Sequence, residues 1–113
     1  MAAIKIESTE GPVVKDLNEM TQFASEGIVS KTFLDRPEVK MVLFCMVRGQ
    51  SLSEHTSSMP ASIHVLKGRA VITLGEDRHD AGPGTWVYMP REQRHAVDAV
   101  DDLVFLLTLF RKG

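Results

Sequence analysis

From Ile28 onward the chain alternates short apolar runs with compact polar breaks. Ile28 to Leu34, Val39 to Val47, Ser62 to Leu66, Ala70 to Leu74, Thr85 to Met89, Arg94 to Ala99 and Leu103 to Phe110 read as β-strands. The breaks carry turn residues: Asp35-Arg36-Pro37-Glu38, Lys67-Gly68-Arg69, Gly75-Glu76-Asp77, Gly82-Pro83-Gly84, Pro90-Arg91-Glu92 and Asp101-Asp102. Upstream, Val13, Leu17, Met20 and Phe23 recur at near-helical spacing with Asp16 and Asn18 as capping candidates, which predicts a turn or two of helix. Before the Gly11-Pro12 turn there is room for one short edge strand over Ile4 to Glu7. Many short strands with almost no helix predict an all-β barrel or double-sheet sandwich.

Two of the strands are apolar on both alternating sets. In Val39 to Val47, Met41, Leu43, Cys45 and Val47 form one set and Val42, Phe44 and Met46 the other; Leu103 to Phe110 is nearly continuous. Such strands need cover on both faces. A barrel of this size supplies one cover, so a homodimer through the sheet face is expected to supply the other.

Length and charge narrow the classes. A chain of 113 residues fits one domain spanning 1–113, with the barrel at about 39–110 and N-terminal strands and turn over 1–38. Thirteen Lys and Arg against fifteen Asp and Glu leave a net charge of -2 without runs, which argues against nucleic acid and anionic membrane as partners. No apolar run is long enough to span a bilayer, Lys5 and Glu7 interrupt any signal-peptide core, and the lone Cys45 makes no internal disulfide. A soluble protein of the reducing cytoplasm is the simplest expectation.

Two stretches, Gly49 to Gly68 and Gly84 to Ala99, carry the candidate chemistry. In the first, Gly49, five residues, His55, one residue, Ser57, three residues, Ala61, six residues and Gly68 follow in order; in the second, Gly84, five residues, Pro90, four residues and His95. These spacings, with Val65-Leu66-Lys67-Gly68 closing the first, resemble the two motifs of the small single-domain cupins, the RmlC-like, conserved-barrel type. The resemblance covers about Val39 to Phe110. It implies a cupin jelly-roll β-barrel (a double-stranded β-helix), a dimer, and a pocket formed by His55, Ser57, Ala61 and His95.

In metal-binding cupins the matching positions are His, His, Glu and His, an open site for Fe, Mn, Ni, Zn or Cu. Here His55 and His95 remain as metal candidates, whereas Ser57 and Ala61 replace two ligands. The ligand set is incomplete, because a serine hydroxyl binds weakly at neutral pH and alanine cannot coordinate. Ala99 also stands where the motif has asparagine, and Glu92 where it has glycine.

Other donors are poorly placed by strand alternation. His64 is three residues from Ala61 and so on the opposite face, and Glu54 faces away from His55 unless a β-bulge reverses the register. Glu92 would reach the site only through an inward loop, and Cys45 only if its face lines the barrel. His79 reads as a solvated turn residue and Met59-Pro60 as the pocket lip. Trp86 and Tyr88 share one face and Val87 and Met89 the other; alternation alone leaves open which pair is inside. The expected function is a cupin barrel binding a small molecule, with or without a divalent metal, through His55 and His95. The alternative is a metal-dependent enzyme of dioxygenase or isomerase type on a small organic substrate.

Overall fold

In a computed structural model that describes residues 11–111, the chain forms nine antiparallel strands and one short helix. The strand expected over Ile4 to Glu7 lies outside the described residues. The helix α1 (Leu17–Met20) is a single turn, started by the Asp16 carboxylate, which accepts the backbone N–H of Asn18 at 2.9 Å and of Glu19 at 3.4 Å. The strands are β1 (Ile28–Asp35), β2 (Val39–Met46), β3 (Ser51–His55), β4 (Ala61–Lys67), β5 (Ala70–Leu74), β6 (Asp77–Ala81), β7 (Trp86–Met89), β8 (His95–Ala99) and β9 (Leu103–Phe110). No helix among the described residues is long and apolar enough to cross a membrane.

Two sheets face each other, one ordered β1-β2-β9-β4-β7 and the other β3-β8-β5-β6. This is the jelly roll of the cupins. Strand β6 departs from the sequence expectation. Its residues Asp77, Arg78, His79 and Asp80 lack apolar alternation and are all exposed, so a polar edge strand looks like a turn.

Register settles the face that alternation left open. Ala61 pairs with Met89 and Ile63 with Val87, while Ser62 pairs with Tyr88 and His64 with Trp86. Ala61, Ile63 and Met89 belong to the core between the sheets, so Val87 and Met89 face inward and Trp86 and Tyr88 face out. His64 lies outside with them.

Strand β2 has cover on both faces. Phe44 and Met46 join the inner core, and Leu43 and Cys45 form a second cluster with Val104 on the outer face. Met20, Val29, Phe33 and Leu66 pack on that second cluster. The cover for this part of the sheet therefore comes from the chain's own α1 and neighbouring strands. Cys45 is buried there, away from the barrel interior.

Candidate functional site

Strands β3 and β8 build the site. Leu52 pairs with Val97 and His55 with His95, with a register shift between them: two residues separate the β3 positions and one separates those of β8. That β-bulge brings Leu52 and His55 to the same inner face although they differ by an odd number. The imidazole rings of His55 and His95 stand 4.1 Å apart between centroids at an interplanar angle of 60°.

Each imidazole is held in the same way. His55 Nδ1 lies 2.7 Å from the Ser53 carbonyl and His95 Nδ1 lies 2.8 Å from the Gln93 carbonyl. A carbonyl only accepts, so in both rings Nδ1 carries the proton and donates it. Both Nε2 atoms are then lone-pair acceptors in the neutral form, and neither makes a hydrogen bond to the described residues. His95 is 7% exposed, whereas His55 stands at the exposed rim.

The rings border a cavity of about 100 Å³. Phe44, Ile63, Phe105 and Leu107 of one sheet and Leu52 and Val97 of the other form its remaining walls, all hydrocarbon. Phe44 and Phe105 stack with centroids 4.9 Å apart and planes within 2°. Sequence reasoning did not find these six residues. Ile63 and Val97 lie two positions from Ala61 and His95, so alternation carried a signal for them; Leu52 is reached only through the bulge.

Ser57 and Ala61 are not among the residues lining that cavity. Strand β3 ends at His55, so the alternation that would align position 57 with it stops short. Ser57 Oγ instead accepts the Met59 N–H at 3.0 Å, and its carbonyl accepts the Glu92 N–H at 2.8 Å. Ala61 is buried on the inner face of β4 within the core. Glu54 is exposed and pairs with Arg94 at 3.4 Å.

The donor set does not fit a resident divalent ion. Catalytic zinc sites of proteins keep three protein ligands, and structural ones four. Among the described residues no group of three or more His, Cys, Asp or Glu is placed to hold a metal. Two neutral imidazoles also supply no negative charge.

Burial lowers the His95 pKa below its usual 6.5; the Gln93 carbonyl opposes that shift and the neighbouring His55 adds to it. The folded chain therefore binds this proton less readily than the unfolded chain. The His95 contribution to stability is intact above about pH 6.5 and is lost as pH falls through the lower folded value. Denaturant titrations at about pH 8 and about pH 5 are expected to show a larger acid-side loss for the wild type than for His95→Gln. Equal losses would contradict this assignment.

A small jelly-roll barrel with two inward imidazoles at the end of paired strands defines the class. The cupin domain family profile matches residues 42–109, and the chain belongs to the cupins. No curated protein matches. Among solved structures, a conserved protein of unknown function from Streptococcus pyogenes is 26% identical, with a TM-score of 0.81 and coverage of 100% of this chain and 99% of that one. An RmlC-like cupin from Desulfovibrio desulfuricans is 25% identical, with a TM-score of 0.81 and coverage of 88% and 97%. A cupin superfamily protein from Desulfitobacterium hafniense, 22% identical with a TM-score of 0.80 and coverage of 98% and 100%, shares the fold.

Proposed function

We propose that the chain is a metal-independent cupin that binds a small molecule between its sheets, with His55 and His95 as the polar contacts. One observation carries this reading: a hydrocarbon-walled cavity bordered by two imidazoles whose Nε2 atoms have no partner among the described residues. Its volume, about 100 Å³, lies well below the ~300–1,000 Å³ of drug-sized sites. The ligand is therefore compact, or inserts one end. Binding is tested by comparing the wild type with His55→Ala/His95→Ala, in which ligand affinity is expected to fall and metal content to stay negligible.

A second reading, the metal-dependent dioxygenase or isomerase, has one observation in its favour. Nδ1–H donation to a backbone carbonyl is how metal-ligating imidazoles are commonly oriented. On this reading an ion would arrive with its remaining ligands supplied by the substrate.

We also propose that residues 1–113 act as one domain in the cytoplasm, as a homodimer through the outer face of the five-stranded sheet. Trp86, Tyr88 and Phe110 are 61%, 50% and 39% exposed there, with Trp86 and Tyr88 rings 6.4 Å apart and Tyr88 and Phe110 rings 6.3 Å apart. The half-buried His64 and Leu106 extend the row beside Trp86. Trp86→Glu would place a charge in that interface, so sedimentation is expected to show a wild-type dimer and a monomeric variant. A monomeric wild type at tens of micromolar, on the order of ordinary dimer affinities, would contradict the interface.

A further inference from the structure

We infer that the ligand's polar head is a neutral hydrogen-bond donor, such as an alcohol, carried on a compact apolar body. This rests on the small-molecule reading above and adds the chemistry of the head. Both imidazoles have a fixed tautomer. Because Ser53 and Gln93 each offer a carbonyl to Nδ1, both rings keep Nε2 as the acceptor nitrogen, and both rings line the cavity. Two acceptors on rings 4.1 Å apart between centroids, neither bonded to a hydrogen of the described residues, can take a donor from the ligand in place of water.

Nothing in the walls offers a hydrogen in return. The six side chains completing the cavity are hydrocarbon, including the stacked Phe44 and Phe105. Arg94, the cation adjacent to His95 in sequence, is engaged with Glu54 at 3.4 Å, and both side chains are more than half exposed. It is not a cavity wall.

Three head groups can then be ranked. A carboxylate would bring negative charge to two lone pairs beside hydrocarbon walls, with no Lys or Arg among the lining residues to offset its lost hydration. A ketone of the same shape would set its own lone pairs against those of the imidazoles and leave all of them unpaired. An alcohol donates O–H to one Nε2, and a second adjacent hydroxyl can donate to the other. The pair of acceptors thus selects against anions and bare carbonyls while the walls select for hydrocarbon.

Cyclopentanol, cyclopentanone and cyclopentanecarboxylate share one ring and differ in the head, so they separate these cases. Each is titrated into the full chain at about pH 8 and followed by amide chemical shifts, conditions in which neutral imidazole dominates. Cyclopentanol is expected to bind about tenfold more tightly than cyclopentanone, with the carboxylate weakest. His55→Leu and, as the second variant, His95→Leu are each expected to reduce the alcohol's advantage over the ketone. Equal affinities for alcohol and ketone, or tightest binding of the carboxylate, would overturn the inference and leave the small-molecule reading standing. Failure of all three to bind would overturn that reading and the inference with it.

Discussion

Replacing Phe105 with alanine is expected to cost about 3–5 kcal/mol of folding stability, the usual range for removing a fully buried aromatic side chain. Phe105 is 1% exposed and sits on β9, paired with Phe44 on one side and Val65 on the other. The near-parallel stacking on Phe44 adds a contact worth about 0.5–1.5 kcal/mol beyond area alone. Because β9 is the central strand of its sheet, few neighbours can move in to refill the space. Phe105 is also a cavity wall, so the variant should widen the site and favour bulkier ligands over compact ones. Guanidinium unfolding checks the first effect and a ligand-size series the second. A loss below about 1 kcal/mol would mean that the sheets collapse over the gap.

The second large effect is expected at Gly68, where β4 turns into β5. Its φ is +81°, and a Cβ placed there would lie 2.1 Å from the Asp102 carbonyl oxygen and 3.0 Å from its carbon. Both atoms are backbone of the residue just before β9, and Leu103 Cα, the first of that strand, lies 3.1 Å away, so relief requires moving the start of the central strand. Left-handed backbone strain of about 1–2 kcal/mol adds to a displacement cost of about 1–3 kcal/mol. Gly68→Ala should therefore lose about 3 kcal/mol, a fall of more than about 10 °C in Tm for a domain of this size. Gly49 provides the control: its φ is +89° but a Cβ there meets nothing within 4 Å. Gly49→Ala should show the strain alone, and equal losses at both positions would refute the close approach as the cause.

Much of the architecture was legible because the strands with one or both faces buried announce themselves. Ala70–Leu74 and Leu103–Phe110 fall where the apolar pattern places them. Strand β6 was not legible, because its side chains are polar and exposed and its pairing with β5 is a backbone matter. The apolar pattern of β2 points to a second subunit as its outer cover, since nothing in the residues around Met20 signals that α1 folds back over Leu43 and Cys45.

The candidate site divides in the same way. Motif spacing points to His55 and His95 as neighbours, and their strands pair at those residues. A two-residue alternation aligns Ser57 with His55 only within a strand, and β3 stops at His55. The bulge between Leu52 and His55 has no local sequence mark such as a glycine or proline. The hydrocarbon walls come from three further strands, β2, β4 and β9, brought together by the jelly roll, and from Leu52 and Val97 on the site strands themselves. The role of both Nε2 atoms as acceptors was invisible in sequence altogether, because it follows from carbonyl positions at Ser53 and Gln93.

The most direct measurement is metal content beside ligand binding, for protein purified without a metal-affinity tag and then incubated with iron, manganese, nickel, zinc or copper. The wild type and His55→Ala/His95→Ala are compared. A metal-independent binding barrel should hold well under one equivalent of metal in both forms while the double variant loses affinity for a compact ligand. Near-stoichiometric metal in the wild type that disappears in the variant would contradict the account and require a third ligand beyond the two imidazoles.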